Sequence, residues 1–193
     1  MAIVIRTGCG YTDEQYTYDQ ECNDESSLII GAALMKRGYD PDLLDATEAT
    51  WQTAIDAGDV IIIPEVSGSV PEPTPVEVPG KGRSQPLIVS HTYDIPMEHY
   101  GVDANLGFWS AFSGNEWGVA LCFEDNKVHV WLDKDGGVIP ATFFTRYSAS
   151  GDVGSLRTMM VNSRFNAKGK NKLPYVIPAA PGIFENGLPV TPS

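Results

Sequence analysis

From Trp117 to Leu132 the chain alternates apolar and small or polar residues twice over. Trp117, Val119, Leu121 and Phe123 alternate with Gly118, Ala120, Cys122 and Glu124; after Asp125-Asn126, Val128, Val130 and Leu132 alternate with Lys127, His129 and Trp131. A period of two belongs to strands, and a two-residue polar break joins two strands as a hairpin with one apolar face. That face must be covered, so the chain needs a β core. The flanking sequence supplies it. LIVSHTYDI lies upstream, Val138–Thr145 follows Asp135-Gly136-Gly137, and Arg157–Phe165 reads as the last core strand. In Asn105–Phe112 the apolar residues are too close for alternation, which implies a short helix or bulged strand plugging one end of the sheet.

The first 64 residues read as an acidic arm packed on that core. Ala2–Arg6 (AIVIR) is a short β-type run able to join the main sheet or a neighbour's sheet, and residues 7–24 read as a loop. A helix is expected from Asn23 or Asp24 through Leu28, Ile29, Ala32, Ala33, Met35 and Lys36, stopped by Gly38 with Lys36 and Arg37 against its C-terminal dipole. Asp40-Pro41 starts a turn. Asp45 with Glu48 makes a capping-box-like pair ahead of Trp51, Ala54 and Ile55, and Gly58 ends that second helix. Helices this short must pack on the core or on another subunit. Val60–Pro64 (VIIIP) is apolar without alternation, so both faces should be covered.

Residues 65–85 are proline-spaced (Pro71, Pro73, Pro75, Pro79), which holds the backbone extended as a linker or as an arm along an adjacent subunit. Residues 86–173 form the β core. The tail, 174–193, carries Pro174, Pro178, Pro181, Pro189 and Pro192, cannot be a helix or central strand, and reads as an extended coat. The fold class is therefore mainly β (α+β): an antiparallel β-sandwich or barrel with one or two short flanking helices and extended Pro-rich arms.

Charge divides the chain. The net charge is −12, and residues 1–80 carry all of it, with 15 acids against Arg6, Lys36 and Arg37. Between Asp152 and Glu185 there is no acid, only Arg157, Arg164, Lys168, Lys170 and Lys172. Such polarity lets one copy pair with the next. It disfavours sequence-specific nucleic-acid binding, with a pI near 4.5. Cys9, Cys22 and Cys122 lack metal spacing, the N-terminus lacks a basic leader region, and no apolar run approaches membrane-spanning length. Free thiols and synthesis in a reducing compartment are expected.

No motif has catalytic specificity. Gly80-Lys81-Gly82 lacks the rest of a dinucleotide loop, and nucleophile-elbow, P-loop and zincin signatures are missing. His91, His99 and His129, the first and last on strands and His99 in a loop, have no ligand spacing, and a Cys122–His129 pair falls on opposite strand phases. Glu124, Asp125, Asp133 and Asp135 read as turn formers rather than Ca²⁺ ligands or a glycosidase pair. No catalytic residue, metal or cofactor is assigned. Trp109, Trp117 and Trp131 offer a sugar platform if exposed, but tryptophans at strand positions usually fill cores.

The stretch from about Trp51 to Gly137 resembles virion structural proteins of tailed phages, particularly those of Bacteroidetes hosts. Its carriers are Trp51…Ala54-Ile55…Gly58 running into an Ile-rich strand, Pro73-Thr74-Pro75-Val76-Glu77 leading to Gly80-Lys81-Gly82-Arg83, the Asn105…Phe108-Trp109 box, and the hairpin closing at Asp135-Gly136. Tail-tube subunits look closest. The resemblance implies a non-enzymatic, self-assembling protein of the virion, made in the host cytoplasm. Its partners would be copies of itself, in rings or stacked rings, and other virion proteins, with DNA passing through a channel and no membrane contact. The inter-subunit contacts to expect are Arg157, Arg164, Lys168, Lys170, Lys172, Pro73, Pro75 and Arg83. The alternative is a carbohydrate- or surface-binding β-sandwich module; a carboxylate hydrolase ranks third.

Overall fold

Two antiparallel sheets pack face to face, and helices cover the back of one of them. The structure is a computed structural model and describes residues 3–4, 15–16, 28–80, 82, 86–100, 102–111, 116–148, 157–168, 173–180 and 182–186. In chain order the elements are β1 (Ile3–Val4), β2 (Gln15–Tyr16), β3 (Ile29–Lys36), a 3-10 turn (Pro41–Leu43), α1 (Glu48–Asp56), β4 (Val60–Pro64), β5 (Val66–Gly68), β6 (Thr74–Val78), β7 (Leu87–His99), α2 (Val102–Ala111), β8 (Trp117–Phe123), β9 (Lys127–Val130), β10 (Thr142–Ser148), β11 (Thr158–Ala167), β12 (Tyr175–Pro178) and α3 (Ile183–Asn186). The outer sheet has the order β10-β11-β7-β5, with β6 also on β7; the inner sheet has the order β12-β9-β8-β3-β4. The β-sandwich expected from the sequence is the fold observed. Ile3–Val4, the described part of the AIVIR run, joins neither sheet: β1 pairs β2 in a separate two-stranded ribbon.

Between the sheets lies one core, where Leu34, Val119 and Leu121 of the inner sheet meet Tyr93, Ile95, Val161 and Phe165 of the outer one. Tyr93 stacks on Phe165 at 5.2 Å, and Trp131 tilts against both. A second core covers the back of the inner sheet, where Met35, Ala120, Val128 and Val130 meet Trp51 of α1 and Ile183 and Phe184 of α3. Each such side chain stabilises by about 1.5–3 kcal/mol on leaving water.

This double cover corrects the first expected helix. Residues 29–36 are β3, the strand between β4 and β8 in the inner sheet. Its two faces serve two cores, Leu34 one and Met35 the other, so the polar positions that mark a strand are missing and the run IIGAALM mimics a helix face. The hairpin β8–β9 forms as expected around Asn126, whose φ is 59°. It lacks the single apolar face expected of it, because Ala120 and Cys122 are buried under the helices. Val60–Pro64 is a strand with both faces covered, as its composition requires.

The helix over 48–56 and the Asp40-capped turn at Pro41 form where expected, and Gly58 ends α1 at a φ of 71°. The capping box does not form. Asp45 Oδ1 instead accepts from the Thr47 N–H at 2.8 Å and from the Thr50 hydroxyl at 2.8 Å, while the Trp51 indole donates to the Asp45 carbonyl. The segment read as a linker or free arm is extended, but it pairs twice with β7, through β5 and β6. Val138 makes only an isolated bridge to Leu132, and the strand expected from Val138 starts at Thr142. Arg157–Phe165 corresponds to β11, which is followed by a further strand: β12 pairs β9 along the inner-sheet edge. Against the expectation of a tail without helix, residues Ile183–Asn186 form the one-turn α3, lying between the prolines rather than across one. Through Ile177, Ala179, Ala180, Ile183 and Phe184 the tail coats this chain's own helix-side core.

Candidate interaction surface

The outer sheet has one covered face and one open face. Inward positions of β7 and β11 are buried, while Thr92, Asp94, Asn162 and Arg164 alternate with them toward solvent. Cross-strand pairs knit this open face. Thr92 donates to Asn166 Oδ1 at 2.7 Å, and Arg164 Nε donates to Asp94 Oδ2 at 3.2 Å while its guanidinium lies over the Phe144 ring. One edge of this sheet is β10, largely exposed; the other is formed by β5 and β6.

A projecting hairpin is the most unusual part of this surface. β11 pairs β7 only from His91 to His99, so the start of β7 is paired by β6 alone. A register shift between Val76 and Glu77 marks a bulge there. Leu87 is 54 % exposed, Ile88 50 % and Val89 41 %, with Val76 and Val78 exposed opposite. The bulge leaves Val89 as the extra residue of β7 and breaks the alternation that buries Tyr93, Ile95 and Met97 further along, and none of Leu87, Ile88 and Val89 joins the intersheet core. A patch of contiguous exposed aliphatic residues of this kind marks interaction surfaces.

The sequence-derived contact residues scatter over this region. Arg164 lies mid-face, already paired to Asp94. Arg157 and Lys168 are exposed at the two ends of β11, Pro75 is exposed on β6 opposite His91, and Pro73 is half-buried just before it. Arg83, Lys170 and Lys172 lie outside the described residues, as do Cys9 and Cys22. The exposed Leu87–Val89 stretch was missed because LIVSHTYDI reads as an ordinary core strand; nothing local says where the covering sheet ends.

A cleft of about 370 Å³ opens between β4 and α2, lined by Ile61, Ile62, Glu65, His99, Asn105 and Phe108 among others. His99 sits at the end of β7 rather than in a loop, 5 % exposed. The Trp109 indole donates to His99 Nδ1 at 3.2 Å. An indole N–H only donates, so Nδ1 is an acceptor and the ring is neutral with its proton on Nε2. Burial pushes the His99 pKa down, while the Glu65 carboxylate opposes that shift. Glu65 itself holds a left-handed backbone, φ 56°, uncommon outside glycine.

The remaining chemical candidates resolve into structure. Cys122 is buried among apolar side chains, and burial pushes its thiol up to about 12. His129 pairs Leu121 in register and packs on Phe123 from the other face of the sheet, so the two do not form a catalytic pair. Asp133 Oδ1 accepts from the backbone N–H groups of Asp135 and Gly137, and Asp125 Oδ1 from that of Lys127, which makes both turn formers. Trp109 and Trp131 are each 2 % exposed and Trp117 packs against the intersheet core, so these three form no open platform. Among the described residues no group of three or more His, Cys, Asp or Glu is placed to hold a metal ion, and no described helix is long and apolar enough to cross a membrane. The chain matches no protein family, no curated protein and no solved structure.

Proposed function

We propose that this protein is a non-enzymatic building subunit that joins copies of itself through the outer sheet. The observation carrying this reading is the hairpin of β6 and β7, which holds Leu87, Ile88 and Val89 out in water beyond the sandwich. Exposed aliphatic surface of this extent is stabilised by a partner. The exposed side chains of β10 and β6 lie at opposite sides of the outer sheet, and a contact between unlike surfaces generates rings or stacked rings when the rotation closes. The finer assignment rests on the resemblance: a structural protein of a tailed-phage virion, tail-tube type, working beside other virion proteins around a passage for DNA. An acidic chain fits such a passage, since phosphate binding depends on Lys and Arg contacts.

The test is size against concentration, by sedimentation velocity and negative-stain imaging. The wild-type chain should form rings, tubes or large oligomers as concentration rises. The double substitution Leu87→Glu with Val89→Glu should stay monomeric with an unchanged circular dichroism spectrum. A wild-type chain that remains monomeric throughout ends the reading.

A further inference from the structure

The β4 edge of the inner sheet presents backbone groups with a defined phase. Antiparallel pairs alternate between residues that exchange hydrogen bonds and residues that do not. The Lys36 N–H donates to the Asp59 carbonyl at 3.0 Å, one step beyond the Met35–Val60 pair. Leu34–Ile61 and Ala32–Ile63 are therefore bonded pairs, and Ala33–Ile62 is not. The other side of β3 agrees: the Arg37 N–H donates to the Glu116 carbonyl, which puts Ala33 in a bonded pair with Ala120 of β8. Ile62 thus turns its N–H and C=O away from β3. It lines the cleft under α2, and neither group has a hydrogen-bond partner among the described residues.

Other edges of this fold carry protection against strand addition. β6 has Pro75 and Glu77, and β10 has Arg146. β4 ends on Pro64 and is followed by Glu65, which close its far end in the same way, while Val60–Ile63 ahead of them carry no charge and no proline. The far wall of the cleft adds the Phe108 ring and His99, whose Nε2–H is the donor left over after Nδ1 accepts from Trp109. Glu65 places a carboxylate at one end.

We propose that the β4 edge accepts an extended peptide as an additional strand. One peptide residue exchanges both backbone hydrogen bonds with Ile62, an apolar side chain packs toward Phe108, and a basic side chain faces Glu65. Main-chain bonds supply affinity and the cleft supplies selectivity, as in other strand-addition sites. The source is a basic segment of a different polypeptide, because the Glu65 carboxylate at the end of the cleft and the net charge of −12 attract such a segment. This inference concerns the inner sheet and is independent of the assembly reading.

The probe is a capped seven-residue peptide in which valine alternates with threonine between terminal lysines, fluorescently tagged and titrated with the full chain by anisotropy. Two further probes carry N-methyl groups on the valines or on the threonines. Saturable binding is expected, weakened about tenfold by one N-methyl set and little by the other, as loss of paired backbone bonds requires. Ile62→Pro removes the N–H that faces the cleft, at a position whose N–H makes no bond to β3, and should weaken binding by about the same factor. Glu65→Gln should weaken it less. Failure to saturate at millimolar concentration, or equal affinity for all three probes, overturns the proposal. Self-association in the absence of peptide that Ile62→Pro abolishes would assign the edge to a second copy and overturn the stated source. The methylated probes leave the protein intact, so the outcome does not hinge on how Ile62→Pro folds.

Discussion

Trp109 gives its indole N–H to Nδ1 of His99 across 3.2 Å, and both residues are buried where α2 meets the end of β7. The bond exists only while His99 is neutral, because a protonated Nδ1 would set donor against donor. It ties α2 to the sandwich.

Acid should therefore loosen this junction. Burial holds the folded-state pKa of His99 below its ordinary 6.5. As pH falls through about 6.5 the unfolded chain takes the proton first, so this stability is complete above that pH and is lost below it, down through the folded-state pKa. The urea midpoint should fall between pH 7.5 and pH 5.5, and less steeply in His99→Gln, whose amide oxygen still accepts from Trp109. Equal slopes in the two proteins would remove His99 as the cause. Trp109→Phe should lower stability at pH 7.5 by about 1 kcal/mol from the lost hydrogen bond alone.

The tail should behave as core. Phe184 is 2 % exposed and meets Trp51 edge-on at 5.8 Å, and the Tyr175 hydroxyl donates to Asp42. Phe184→Ala should destabilise by about 3–5 kcal/mol, the range for emptying a buried aromatic site. Truncation after Pro174 should lower the denaturation midpoint of the monomer, not only its association. An unchanged midpoint would mean the tail is dispensable to the fold.

Gly31→Ala tests the same contact from the sheet side. A Cβ on Gly31 would lie 2.7 Å from Phe184 Cδ1, so the ring must move. A loss of about 1–3 kcal/mol is expected, as for overpacking elsewhere. The double variant Gly31→Ala with Phe184→Ala should lose less than the sum of its parts, which a double-mutant cycle reads directly.

Cys122 should resist thiol reagents in the folded protein. Its buried thiol has a pKa raised to about 12, so at pH 8 almost none is thiolate. In a Cys9→Ser, Cys22→Ser background, labelling should be undetectable in buffer and complete in urea. Rapid labelling without denaturant would contradict its placement under α3.

Changing Lys168, Lys170 and Lys172 together to Glu should block assembly while the monomer still folds, if the basic stretch meets the acidic first 80 residues of another copy. Unchanged polymer in electron micrographs would count against that pairing.

What the sequence determined by itself is local. The alternation from Trp117 to Leu132 specified β8 and β9, because each residue's face follows from its neighbour's. Asp40-Pro41 and Gly58 marked the turn and the helix end through their own backbone preferences. The tertiary structure decided everything that depends on what lies opposite. Gly31 to Met35 became a strand only because two cores claim its two faces, which erased the polar positions that would have revealed it. The proline-spaced segment became sheet because β7 offered it a ladder, and the tail became core because the inner sheet had an uncovered back. Leu87 to Val89 are as apolar as the buried part of β7, and they are exposed because nothing in the described fold packs over them. Burial is a property of pairs of surfaces, and a single strand's sequence encodes only one member of each pair.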